Sequence, residues 1–354
     1  LHTQSKFRLL VIRLGAMGDI LHALPAVTAL RLAHPAWVID WVVEPRWRAL
    51  FTAEDSLGRT TSCPLLNRLL FAPTKDWRAA PFSQKAHHEI KLLRRTLRSG
   101  EYDAVLDLQG AIRSAVIGYM AGCRRRIGED QPRERAARLF FTERVPTHGA
   151  HVIEQDLELA SAVAGDELAP AKPLLPTDPA AEAWADQLLS PSPTQLAVVI
   201  NPGAGWGAKR WPVERYAVVA QGLIDRGLRI LVNAGPREEP LADAISQATK
   251  GAATPLHCSL EQLIALTRRA SLVVAGDTGP LHLACALERP VVGIYGPTDP
   301  SRNGPFGTRF KVLRSPESRR DHTRHPEPES GLLTIQPEDV LLAASELLVP
   351  ESTR

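Results

Sequence analysis

The sequence contains no run of about 20 apolar residues of the kind that spans a bilayer, and its opening "LHTQSKFRLLVIRLG" is too short in its apolar part for a signal peptide. A chain that stays inside the cell is expected. Cysteine is scarce: Cys63, Cys123, Cys258 and Cys285 are scattered, with no C-x-x-C pair and no histidine at zinc-ligand spacing. That argues against a disulfide framework and fits a reducing cytoplasm. The G-x-G-x-x-G fingerprint with its acidic ribose partner is missing from both halves, which weighs against a dinucleotide-dependent oxidoreductase.

What is present is ordinary globular material, with 44% hydrophobic and 23% charged residues in 354, long enough for two domains. The net charge of +3 hides an asymmetry. Residues 1–150 hold 23 Lys and Arg against 14 Asp and Glu, whereas the remainder holds 19 against 25. A basic half beside an acidic one points to an anionic partner for the first half, although single arginines such as Arg94, Arg95 and Arg98 suit a solvated helix face equally well.

Hydrophobic periodicity alternates between short β-rich runs and helical spacing. "FRLLVIRLG" precedes "DILHALPAVTALRLAHP", "WVIDWVVE" follows, and "YDAVLDLQG" precedes "AIRSAVIGYMAG". A stretch rich in Pro and Ala between Leu168 and Pro193 reads as a linker carrying one short helix, after which the alternation restarts with "LAVVINPG" and runs to "PVVGIYG". Strands alternating with helices imply parallel βαβ units, so the fold class is α/β with two similar halves. Glycine-rich turns follow several strands: "RLGAMGD", "LDLQG", "NPGAGWG", "NAGP", "AGDTGP" and "YGPTDP". Ligands of such sheets bind outside the carboxyl ends of the strands.

The turn "AGDTGPLHLA" raises a question of charge. If it opens a helix, the N–H groups of Thr278 and Gly279 and the Thr278 hydroxyl are placed for phosphate, yet Asp277 would repel it. A diphosphate ester of a polyol satisfies both, its phosphates on the amides and its hydroxyls on the carboxylate. Lys209 in "GWGAKRWP" suits the countercharge for a diphosphate leaving group, or is a solvated loop lysine. Glu238 suits a ribose diol or is a helix-start charge, and His282, one turn beyond Thr278, reaches the same site or is merely packed. In the first half Asp19 is either a helix cap or a general base for an attacking hydroxyl.

Taken together, "LLVIRLGAMGDILHALPA", "DWVVE", "YDAVLDLQG", "KRWPVERY" and "VVAGDTGPLHLACALERPVVGIYGPTDP" resemble the bacterial lipopolysaccharide heptosyltransferases of glycosyltransferase family 9, nearest the heptosyltransferase I branch. The resemblance implies a GT-B fold, two Rossmann-like domains facing across a cleft. Its boundaries would be 1–172 for an acceptor domain, 173–194 for the linker, 195–335 for a nucleotide-sugar domain and 336–354 for a C-terminal helix and tail. It implies ADP-L-glycero-D-manno-heptose as donor, the first Kdo of Kdo2-lipid A as acceptor, inversion at the anomeric carbon, and no cofactor or obligatory metal. Asp19 would be the base; Lys209, Thr278 and Gly279 would hold phosphate; Glu238, Asp277 and His282 would hold the nucleotide and sugar. Gly18, Arg113, Arg124, Arg125, Arg126 and Arg133, with the Lys75–Arg78 stretch and Arg138, would meet the anionic acceptor at the cytoplasmic face of the inner membrane. No nucleic-acid partner is implied. The alternatives are a family 9 enzyme of the heptosyltransferase II kind, with a different acceptor, and a nucleotide-sugar-binding module without transfer activity.

Overall fold

The computed structural model describes residues 6–54, 60–62, 65–321 and 325–349; Cys63 and the tail residues 350–354 lie outside them. The chain divides into two compact units, Leu1–Pro176 and Thr177–Arg354.

In the first unit the elements are β1 (Arg8–Ile12), α1 (Met17–Ala33), β2 (Val38–Val43), a hairpin of β3 (Thr52–Glu54) and β4 (Thr60–Ser62), β5 (Arg68–Phe71), α2 (Thr74–Ala79) and α3 (Gln84–Arg98). They continue with β6 (Ala104–Asp107), α4 (Ile112–Met120), β7 (Arg125–Glu129), β8 (Glu143–Val145) and α5 (Val152–Ala164). Apart from the hairpin, the strands form one parallel sheet in the order β5-β2-β1-β6-β7-β8. The central runs "RLLVI", "VIDWVV" and "AVLD" are almost wholly buried, as a parallel sheet covered on both faces requires. Helix α1 is buried on nearly every side and α5 packs along it. Helix α3 is the opposite case: Ala86, Leu93 and Leu97 face inward, and its outer face is cationic.

The second unit begins with α6 (Pro179–Leu189), the helix within the Pro/Ala-rich stretch. Asp178 caps it through Ala181 N–H at 2.9 Å, and Glu182 pairs with Arg268 and Arg269. Then follow β9 (Ala197–Asn201), α7 (Val213–Ile224), β10 (Arg229–Asn233), α8 (Glu239–Ala248), β11 (Thr254–Leu256) and α9 (Leu260–Arg269). The unit ends with β12 (Leu272–Gly276), α10 (Gly279–Ala286), β13 (Val291–Tyr295), α11 (Pro300–Asn303), β14 (Phe310–Arg314) and α12 (Pro337–Leu348). Its parallel sheet runs β11-β10-β9-β12-β13-β14. Helix α12 settles on the core of this same unit, where Val340, Ala344 and Leu347 meet the cluster around Val198 and Ile230.

Numbered within each unit, both sheets have strand order 3-2-1-4-5-6, so the winding reverses between β1 and β6 in one and between β9 and β12 in the other. The crevice outside such a switch point is where doubly wound sheets hold ligands. The loops that leave these four strands are among the six the sequence singles out; the other two follow β10 and β13.

Candidate active site

In the second unit, β9 delivers the loop carrying Lys209 and β12 delivers Asp277, so an ion pair spans the switch point. Lys209 Nζ contacts Asp277 Oδ2, and the two side chains are only 10% and 7% exposed. The ammonium also lies 4.2 Å from the Trp206 ring centroid, a cation–π contact. His282 Nε2 is 3.2 Å from the other carboxylate oxygen. Burial by itself would raise the pKa of Asp277, but the His282 hydrogen bond and the Lys209 charge hold it well below the usual carboxylate range. The charge conflict at this turn is thereby resolved: the carboxylate beside the helix start is already neutralised.

The Lys209 loop is held from outside. Ala208 N–H donates to the His325 carbonyl at 3.0 Å, and Glu329 N–H donates to the Ala208 carbonyl at 3.2 Å. Gly207 lies so close to the Pro326 carbonyl that a Cβ would fall 1.6 Å from its oxygen. Thr278 is the N-cap residue of α10, its hydroxyl donating to the Gly276 carbonyl at 3.2 Å; Gly279 and Pro280 follow, and no side chain caps the helix. The start of α10 thus follows directly on Asp277, the partner of Lys209, with its first N–H groups uncapped by any side chain. Glu238, immediately before α8, accepts from Ala204 N–H at 3.1 Å, and a Cβ on Gly203 would lie 1.9 Å from its Oε2. Glu238, from the loop after β10, therefore packs against the loop that carries Lys209.

In the first unit Asp19 is the third residue of α1, directly after the half-buried Gly18. Its Oδ2 accepts from Ala16 N–H at 3.0 Å, which serves the helix start, and its side chain is still 38% exposed. Asp19 thus lies inside the helix and bonds back to its N-cap residue Ala16 instead of being the N-cap itself, and its carboxylate stays accessible. The loop behind it is clamped to the start of the β6 turn by Gln109, which accepts from Leu14 N–H at 2.8 Å and donates to the Gly15 carbonyl at 3.1 Å. Arg13 stands 3.4 Å from Asp19 Oδ1.

Comparison with known proteins places this arrangement. The family described as glycosyltransferase family 9 (heptosyltransferase) matches residues 90–332. Lipopolysaccharide heptosyltransferase 1 of Escherichia coli strain K12 is 32% identical over 324 residues, covering 87% of this chain and 94% of that protein. The chain belongs to glycosyltransferase family 9. Its structure matches E. coli heptosyltransferase WaaC with ADP at a TM-score of 0.76 and 28% identity, over 96% of this chain and all of the other. WaaC with ADP-2-deoxy-2-fluoro heptose matches at 0.73 and 28%, over 96% and 99%. The fold is the GT-B fold of these heptosyltransferases, and the chain is a glycosyltransferase.

The cationic residues of this family 9 chain divide into two groups. Arg125 pairs with Glu143 at 2.8 Å and reaches the Ala162 carbonyl at 2.9 Å; Arg126 donates to the Phe140 carbonyl at 2.7 Å and the Cys123 carbonyl at 2.6 Å. Both guanidinium groups, expected at an acceptor, bind β7 to its own surroundings. Arg138 likewise pairs with Asp130 at 3.0 Å. Arg124, Arg113 and Arg133 are exposed, and Arg133 N lies against Gly110 in the turn after β6. A second cluster gathers at α2, where desolvation and the charges of Arg46, Arg113 and Arg78 lower the pKa of Lys75 against the opposing effect of Glu44. Arg46, Gln109, Arg13 and Trp206 were not singled out in the sequence. Only Trp206, flanking Lys209 in a glycine-rich loop, carried a local signal.

Proposed function

We propose that this chain transfers L-glycero-D-manno-heptose from ADP-heptose to the first Kdo of Kdo2-lipid A, with inversion at the anomeric carbon. The observation that carries the reading is the Lys209–Asp277–His282 cluster at the start of α10, at a switch point, in a family 9 chain. Named relatives of heptosyltransferase 1 type, and a WaaC structure with an ADP-heptose analogue, support the donor.

On this reading the diphosphate takes Lys209 and the N–H groups of Thr278 and Gly279, while Asp277, released from Lys209, accepts hydrogen bonds from heptose hydroxyls together with His282. Glu238 takes the ribose diol. The acceptor oxygen forms its bond to the anomeric carbon as the bond to the β-phosphate oxygen breaks. Asp19 takes the hydroxyl proton, and the pair of electrons leaves with ADP, whose charge is stabilised by Lys209 and the helix start. One displacement with one base inverts the centre, so no carboxylate nucleophile is needed. Lys75, Arg46, Arg78 and Arg113, with Gly18, Arg124 and Arg133, suit the phosphates and carboxylates of the acceptor.

The acceptor is an anionic lipid, and no helix of the described residues is long and apolar enough to cross a membrane. Contact with the inner leaflet is assigned to α3, which exposes Lys85, Lys91, Arg94, Arg95 and Arg98 next to Phe82, itself 92% exposed. The deciding experiment is ADP release from ADP-heptose by the purified chain, with and without Kdo2-lipid A. Release that requires this acceptor supports the assignment. Donor binding without release sinks the acceptor assignment and leaves the donor half standing.

A further inference from the structure

Behind Asp19 lies a group of buried charges that the transfer itself does not use. Arg13, which directly follows β1, is buried; its backbone carbonyl accepts from Trp41 Nε1 at 3.0 Å and its Nη1 donates to the Leu108 carbonyl at the end of β6. Its Nη2 reaches Asp19 Oδ1 at 3.4 Å, and its Nε has no partner among the described residues. Asp156, on the side of α5 that faces the interior, is also buried, and its Oδ2 has no hydrogen-bond partner among the described residues. The charges acting on Asp156 are Arg13 from the end of β1, Asp19 from α1 and Glu129 from β7. Glu143 on the neighbouring β8 is taken by Arg125, and Asp107 on β6 is folded into its own turn by Gln109 N–H, Gly110 N–H and Ser114 Oγ.

A buried guanidinium is costly unless it is paired, and a cation held against a general base opposes the proton transfer that the base must perform. Arg13 has three carboxylates within its field: Asp19, exposed at the reacting surface, and Asp107 and Asp156, both buried. We propose that Arg13 is the positioning residue of the Asp19 carboxylate and that Asp156, acting through Arg13, sets how strongly it holds Asp19. With Asp156 ionised, its buried charge competes with Asp19 for the guanidinium and loosens the hold of Arg13 on the reacting carboxylate. With Asp156 protonated, that competition is gone and Arg13 is held more closely to Asp19, fixing its orientation, with Asp107 still in its field. Desolvation, with opposing help from Arg13, brings the Asp156 carboxyl up to about 7, so the two conditions exchange near neutrality. This inference rests on the reading of Asp19 as base.

The test uses the full chain and four variants: Asp19→Asn, Arg13→Lys, Arg13→Met and Asp156→Asn, each assayed for ADP affinity and for kcat and KM from pH 6 to 9. Arg13→Met is expected to lose about a hundredfold in kcat, the scale of a misplaced catalytic group, with ADP affinity unchanged and partial recovery in Arg13→Lys. In the wild type kcat rises through a limb near pH 7 that Asp156→Asn flattens, with acceptor KM little changed. A merely structural Asp156 leaves the limb in place. If Asp19→Asn is inactive but Asp156→Asn and both Arg13 variants keep the wild-type kcat profile, this inference falls and the base assignment stands. If Asp19→Asn stays active, the base assignment falls. Should the wild type release no ADP, the crystal structure of Arg13→Met decides alone: Asp19 turning away from its present place supports the positioning role, and an unmoved carboxylate overturns it.

Discussion

Lys209 and Asp277 are paired across the switch point of the second sheet, each nearly withdrawn from solvent. On the proposed reading donor binding exchanges partners: the ammonium would pass from carboxylate to diphosphate, and the carboxylate from ammonium to sugar hydroxyls. The pair keeps both groups in place before the ligand arrives, which is a form of preorganisation. It also gives Lys209 a part in stability beside its proposed part in binding.

That double duty separates two effects of one mutation. Lys209→Met leaves Asp277 buried with His282 as its remaining partner, a loss on the order of 3 kcal/mol for a broken buried pair. The double variant with Asp277→Asn is expected to recover most of the stability and none of the activity. Urea unfolding beside ADP-release kinetics checks both. A Lys209→Met protein as stable as wild type, with unchanged donor KM, removes the pair from both roles.

Asp19→Asn is expected to lower kcat by about two to four orders of magnitude, the usual range for general base catalysis, while the ADP affinity measured calorimetrically stays within about twofold. The amide still accepts from Ala16 N–H, so the helix start survives and a fall in rate is not a folding effect. A wild-type rate reduces Asp19 to its role at the start of α1.

Much of this was legible in the sequence, for physical reasons that also explain the gaps. The central strands and the helices after them announce themselves because a parallel sheet buried on both faces needs continuous apolar runs. The turns at their carboxyl ends were visible through glycine. Strands at and next to the margin of the sheet are less demanding: β7, beside the edge, reads "RRIGE" and the edge strand β8 reads "ERV", and neither shows a run of the required kind. The arginines of β7 accordingly looked like ligands for a partner when two of them serve the strand itself. Arg13 and Gln109 escaped notice because their importance lies in contacts 95 and 94 positions away along the chain, to Leu108 and Gly15, which no local pattern reports. Lys209, Asp277 and His282 could each be suspected singly, but their mutual pairing is a tertiary fact.

Stability should carry the mark of Asp107. Burial pushes this carboxyl up to about 6, against hydrogen bonds from Gly110, Gln109 and Ser114 that pull it down. An unfolded Asp titrates near 4, so between about pH 4 and about pH 6 the native state keeps a proton that the unfolded state has released. Wild-type stability from this group therefore falls as pH rises through that window and levels off above it. Measured against Asp107→Asn at each pH by urea unfolding, the wild type is expected to lose ground from pH 4 to 6 and none from 7 to 8. A difference that does not vary with pH contradicts the raised value.

The membrane contact can be tested without any substrate. Helix α3 buries only Ala86, Leu93 and Leu97, so its outer residues can be changed with little effect on the fold. Lys91, Arg94 and Arg95 are exposed there, and each cation near an anionic surface contributes about 1 kcal/mol at low salt, a contribution that decays within a Debye length. Phe82 adds apolar burial that salt does not weaken. Sedimentation with phosphatidylglycerol-containing vesicles should show binding that falls with added salt, falls at least tenfold in Lys91→Glu/Arg95→Glu, and falls by a smaller, salt-independent factor in Phe82→Ser. Turnover on a deacylated soluble acceptor should be the same for all three proteins, because none of these residues lies at the Asp19 or Lys209 loops. Equal vesicle binding by wild type and both variants moves the contact to another face of the protein, and loss of soluble-acceptor turnover assigns α3 to the acceptor instead of the lipid surface.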